Sequence, residues 1–152
     1  MTNSVTETTK SKVHDEVTAA GTTIVGMSSV NHPVHHRWSD LPSEQITDAI
    51  RRTYLTGDRV TVARFELKRG GVVPRHSHEN EQVSCVLTGA LKFVLPSGDV
   101  LVQAGEVLQI PGGIDHEVEV LEDTVVIDIF SPVRRDWLDK TDAYFQRPQQ
   151  SR

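Results

Sequence analysis

From Arg59 onward the chain is a succession of short β-branched runs: RVTVARFEL, GGVVPRH, EQVSCVLT, ALKFVLP, DVLVQ, EVLQI, EVEVL and TVVIDIF. Runs of this kind, so closely spaced, leave room for little but antiparallel sheet. They are parted by Gly70-Gly71, Thr88-Gly89, Pro96-Ser97-Gly98-Asp99, Ala104-Gly105, Pro111-Gly112-Gly113 and Glu122-Asp123, mostly residues suited to tight turns. No helical interval separates one run from the next, which excludes a parallel sheet built from βαβ units. The pattern predicts an all-β sandwich or barrel.

The flanking segments read differently. Residues 1–22 are rich in Thr, Ser and charge and have no periodicity, as in a disordered tail. Residues 23–58 read as an N-terminal arm, broken by Pro33, followed by a short helix. Ile46, Ala49 and Ile50 have helical spacing there, and Ser43 is a candidate N-cap. The β domain is expected over 59–138. Its end, SPVRRDWLDKTDAYFQ, offers a short helix or an arm before a polar tail, and the tail is drawn over 139–152.

A length of 152 residues suits a single domain with one core. The hydrophobic fraction, 37%, is below the globular norm and fits a chain that is partly unpacked. A net charge of −5 and the lack of a Lys/Arg run argue against a nucleic-acid partner. No apolar stretch approaches the ~18 residues of a membrane span. The first residues lack the basic-then-apolar order of a signal peptide. Cys85 is the single cysteine, so no intrachain disulfide forms and a cytoplasmic setting is expected. Lying in the apolar run VSCVL, it reads as a buried structural thiol.

Chemistry concentrates in HSHENEQ, residues 76–82. Alternate side chains of an extended segment share a face, so His76 and His78 point the same way. Continued parity adds Gln82, Ser84 and Val86 to that face and puts Glu79 and Glu81 on the other, unless Asn80 breaks the alternation. A third histidine, His116, follows the tight turn Pro111-Gly112-Gly113. Imidazoles with one side-chain oxygen make a mixed nitrogen–oxygen site for a divalent transition metal such as Zn, Ni, Fe or Mn. His32, His35 and His36 form a weaker candidate patch without supporting acids. Trp38 and Trp137 are candidates either for stacking on a sugar or for covering an edge of the barrel.

These two segments resemble the motifs of the cupin superfamily. In the first motif, G-x5-H-x-H-x3or4-E-x6-G, Gly70, His76, His78 and Gly89 match, and Gln82 stands at the glutamate position. In the second, G-x5-P-x-G-x2-H-x3-N, Gly105, Pro111, Gly113 and His116 match, with Val120 in place of asparagine. The resemblance implies a single double-stranded β-helix, the cupin jelly-roll barrel, with one divalent metal held by His76, His78, Gln82 and His116 inside its mouth.

The H-x-H-x2-E-Q form and the D-x-F-x3-R pattern of Asp128, Phe130 and Arg134 are similar to the pectin-degradation cupins that linearise unsaturated galacturonate. That likeness implies a small carboxylated or sugar-acid substrate. Asp128 would move a proton, Arg134 would pair with the carboxylate, and Phe130 would shape the wall. Glu81 is a further candidate beside the metal. A neutral glutamine leaves the metal more charged than glutamate would, which favours Lewis-acid proton transfer of isomerase or lyase type. A metal-dependent dioxygenase and a non-catalytic small-ligand cupin are the alternatives. Edge protection in small jelly rolls also suggests a homodimer.

Overall fold

The computed structural model describes residues 32–146. The tail expected over 1–22, the start of the arm and residues 147–152 lie outside the described residues.

Within the described residues, ten strands form two antiparallel sheets. In chain order they are β1 Ser43–Thr47, β2 Ile50–Thr56, β3 Thr61–Leu67, β4 Val72–His76, β5 Glu81–Thr88, β6 Ala90–Val94, β7 Val100–Gln103, β8 Val107–Ile110, β9 His116–Val120 and β10 Thr124–Ser131. The larger sheet has the order β1-β2-β3-β10-β5-β8 and the smaller the order β4-β9-β6-β7. All eight runs read from the sequence after Arg59 are strands. Period-2 burial explains their faces: β3 and β9 alternate strictly between buried and half-buried positions.

The facing sides of the sheets meet in one core that includes Phe65, Leu91, Phe93, Val118, Val126 and Phe130. The outer face of the larger sheet stays partly apolar. Leu87, Val107 and Ile129 are exposed there, and Cys85 is only half-buried, between Ile127 and Val107 in register. Cys85 is therefore an outer-face thiol and not a core one.

The helix expected around Ser43–Ile50 is instead a β-hairpin. β1 pairs with β2 from Ser43↔Thr53 to Thr47↔Ile50, and β2 pairs with β3 along its length. Helical spacing of three apolar residues loses to a ladder that pairs β2 on one side with β1 and on the other with β3. Burying Arg52 on this hairpin needs charged partners from elsewhere. It is 2% exposed and donates from Nη2 to Glu44 Oε2 at 2.8 Å and from Nη1 to Asp142 Oδ2 at 2.7 Å.

The short helix α1 lies later, at Arg135–Leu138, and carries Trp137 into the core. Trp137 meets Tyr54, Phe65 and Phe130 edge-on, with the guanidiniums of Arg52 and Arg134 at 4.2 and 4.3 Å from its ring centroid. It is a core residue that also lines the cavity beside the histidines, and it does not cover an edge of the barrel. Trp38 sits in an exposed 3-10 turn, Trp38–Asp40. The polar tail drawn from residue 139 is in part a packed segment: a second 3-10 turn, Ala143–Gln146, lies against β4 and buries Tyr144. No helix among the described residues is long and apolar enough to cross a membrane.

Candidate metal centre

His76 ends β4 and His116 begins β9, and the two are direct partners in the register of the smaller sheet. His78 follows in the bend that leads into β5. That bend is gripped from two sides. Gly113 N donates to His78 O at 2.7 Å, and Asn80 Nδ2 donates to Val133 O at 3.2 Å and to Pro132 O. Gly112 lies so close that a Cβ on it would sit 2.2 Å from Glu79 O. Only glycine lets the two histidine-bearing segments touch in this way. The ligand atoms of His76, His78 and His116 lie within 4.8 Å of one another.

The hydrogen bonds decide which nitrogen faces inward. His76 Nδ1 donates to Pro74 O at 2.7 Å, His78 Nδ1 to Asn80 O at 3.0 Å, and His116 Nδ1 to Ile114 O at 2.8 Å. Carbonyl oxygens only accept, so each Nδ1 carries the proton and each Nε2 is left with a lone pair. Burial pushes the imidazoles toward the neutral form: His76 down to about 3, with the neighbouring His116 adding to it, and His78 down to about 4, with Arg134 adding to it. His116 is lowered as well, again chiefly by burial.

Gln82 Oε1 stands 3.1 Å from His78 Nε2. The Gln82 amide is oriented by its other end, where Nε2 donates to Ser84 Oγ at 2.9 Å, and the Ser84 hydroxyl hydrogen-bonds Asp128. Two acceptor atoms therefore face one another with no proton between them. His116 Nε2 is buried with no hydrogen-bond partner at all. A buried acceptor of this kind is costly unless a cation meets it, and the donor set of three imidazoles and an amide oxygen suits a divalent transition metal. The residues fit the group. Among the described residues this is the one cluster found that can hold an ion, and His32, His35 and His36 remain exposed outside it.

The cavity beside these atoms is lined by His76, Gln82, His116, Asp128, Phe130 and Arg134, over an apolar floor. Strand pairing places Asp128 opposite Ser84 and Phe130 opposite Gln82. Burial raises the Asp128 carboxyl to about 6, against the lowering effects of Ser84 and Arg134. Its Oδ1 has no hydrogen-bond partner.

Arg134 is 1% exposed, but its fork is closed on Asp136: Nε donates to Oδ1 at 2.9 Å and Nη2 to Oδ2 at 2.7 Å. Asp136 takes the side-on edge, so an incoming carboxylate meets the N–H groups left on Nη1 and Nη2. Glu81 does not reach the cavity. It is exposed on the outer face of β5, where Gln109 Nε2 donates to its Oε1. Strand parity turns Gln82 inward and Glu81 outward, so Glu81 does not stand beside the histidines as the sequence suggested.

Tyr144 and Phe145 also line the cavity, and sequence reasoning missed both. Tyr144 stacks on His76 with centroids 4.0 Å apart and planes 3° apart. The only signal was a pair of aromatic residues in an otherwise polar end, read as part of a tail.

The family model for the cupin domain matches residues 63–130. Those residues are a cupin domain. Among relatives, the pectin degradation protein KdgF of Dickeya dadantii (strain 3937) is 28% identical over 102 residues, 65% of this chain and 93% of its own. The solved structure of KdgF from Halomonas sp. aligns with a TM-score of 0.61 at 26% identity, covering 65% of this chain and 94% of that one. An RmlC-like cupin from Shewanella frigidimarina NCIMB 400 gives 0.64 at 22% identity, covering 70% of this chain and 96% of that one. Oxalate decarboxylase from Bacillus subtilis gives 0.57 at 16%, covering 66% of this chain and 31% of that one. The last two share the fold alone. The chain is thus similar to the pectin-degradation cupins, with its three histidines and Gln82 inside the matched segment and Arg134, Trp137, Tyr144 and Phe145 of the cavity wall beyond it.

Proposed function

We propose that this cupin is a metal-dependent enzyme that moves a proton on a small carboxylated or sugar-acid substrate, by isomerase or lyase chemistry. The observation that carries the reading is the pairing, in one cavity, of three outwardly bonded imidazoles with a buried carboxyl that has an unpartnered oxygen. His76, His78, His116 and Gln82 would hold the ion, which supplies Lewis-acid polarisation of a substrate hydroxyl or carbonyl oxygen.

Asp128, half-protonated near pH 6, is suited to take or give a proton close to neutrality. Ser84 aims it. Arg134 contributes positive charge to the cavity and favours an anionic substrate, while Asp136 keeps its side chain in place. Phe130, 5.5 Å from the His78 ring, packs as an apolar wall. The likeness to KdgF, a pectin degradation protein by name, supports an unsaturated galacturonate as the first substrate to test.

The test is turnover of the unsaturated galacturonate monomer by metal-loaded protein, followed through the ultraviolet absorbance of its conjugated double bond. Loss of absorbance that depends on metal is expected. Stoichiometric metal without turnover of this or a saturated uronate overturns the reading, and oxygen uptake during turnover would instead assign oxygenase chemistry. A homodimer belongs to the same proposal, with the outer row of Cys85, Val107 and Ile127 as the surface covered. Sedimentation velocity reads its mass, and a monomer at micromolar concentration rejects it.

A further inference from the structure

The cavity beside the histidines holds about 40 Å³. That is room for a few water molecules, at about 10–15 Å³ of such space for each. It is not room for a six-carbon acid. The wall that makes it so small comes from the far end of the chain. Tyr144 is 9% exposed, lies flat on His76 and hydrogen-bonds Arg134. It therefore touches both the first histidine of the candidate metal centre and the cation that would meet a substrate carboxylate. Phe145 backs it, with ring centroids 4.5 Å apart.

The segment that carries Tyr144 is held by polar contacts as well as by the packing of Tyr144 and Phe145. Asp142 receives Arg52 Nη1 at 2.7 Å, Thr141 N donates to Asp136 O at 2.8 Å, and Lys140 pairs with Glu44. Lys140 itself turns the chain in the left-handed region, at φ 55°. The Lys140–Glu44 pair is partly exposed and worth little, whereas Arg52 and Asp142 are 2% and 13% exposed, so their pair is the stronger latch on the turn.

We propose that Tyr144 is a specificity-determining residue. Its ring occupies the place beside His76 and Arg134 where the body of a substrate must lie, and a ligand larger than acetate binds only when the ring leaves His76. This rests on the reading of the cavity as a metal-dependent substrate site. The Arg52–Asp142 pair sets how readily the ring leaves.

Two measurements on the full-length chain test it. The first is carbethoxylation of His76 by diethyl pyrocarbonate in metal-free protein, read by mass spectrometry. Tyr144→Ala should speed modification at least tenfold, and Asp142→Asn, which leaves the ring intact, should speed it several-fold. Equal rates in all three proteins overturn the proposal whether or not any substrate is ever found. The second is calorimetric titration of the metal-loaded proteins with acetate and with galacturonate. Tyr144→Ala should bind galacturonate at least tenfold more tightly than wild type and acetate within about twofold of it. Galacturonate affinity that is unchanged or weaker in the variant overturns the size limit. Failure of the enzymatic reading shows separately, as absent turnover of the unsaturated uronate, and leaves the labelling ratio standing.

Discussion

Replacing His116 by alanine is expected to abolish stoichiometric metal binding. His116 is 1% exposed, its Nδ1 is spoken for by Ile114 O, and its Nε2 has no partner in the protein. Loss of a hydrogen-bonding neighbour of a ligand typically costs 10–100-fold in metal affinity, so loss of the ligand itself should cost at least about 100-fold. The readouts are elemental analysis after desalting and the thermal shift on adding Ni or Zn. Metal at about 100 times its Kd stabilises a native site by about 2.7 kcal/mol, and the variant should gain none of this at the same concentration. His76→Ala, across the β4–β9 register, should behave alike. Circular dichroism guards against the trivial outcome, since truncating a buried ring also leaves a void. A folded variant that still carries one ion per chain would show that the ion sits elsewhere.

The second large effect is expected at Asp128, where activity and stability should move in opposite directions. Asp128→Asn removes the proton carrier and should lower turnover by about 10²–10⁴, the usual contribution of general acid–base catalysis. In the metal-free protein it should also raise stability above pH 6. The folded carboxyl is raised from its ordinary 3.8 to about 6. Between those values the native state holds a proton that the unfolded chain has released, and stability falls as pH rises through that window and is level above it. A shift of about two units corresponds to about 3 kcal/mol. Asparagine keeps an acceptor for Ser84 and never ionises, so the variant should be more stable than wild type at pH 8, by up to about that amount. The two should converge near pH 4. Denaturant melts at both pH values check it. A variant less stable at pH 8 would make Asp128 a structural residue and remove it from the mechanism.

Much of the β architecture was legible because strands announce themselves locally. In EQVSCVLT the alternation alone separates Gln82, Ser84 and Val86, which are buried, from Glu81 and Leu87, which are exposed. IDIF separates Asp128 and Phe130 from Ile129 in the same way. Seven residues of HSHENEQ carried three of the four donor atoms now gathered at the cavity, and the glycine turn before His116 marked where the fourth begins its strand. The stretch SEQITDAIRR misled because three apolar residues at helical spacing are a weak signal, while the free edge of β3 is a strong one that no local window contains.

By itself, then, the sequence determined the strands, the face on which each candidate ligand lies and the turns that glycine alone permits, because each depends on neighbours within a few residues. Only the tertiary structure decided which nitrogen of each histidine looks inward, since that follows from backbone carbonyls placed by the bends around them. The same holds for the Arg134 fork closing on Asp136 and for Arg52 finding Asp142 across the fold. It holds for Tyr144 as well, which lies on His76 although 68 positions separate them in the chain. Such contacts between distant residues are set by burial and charge pairing after the sheets have met, and no periodicity in the sequence encodes them.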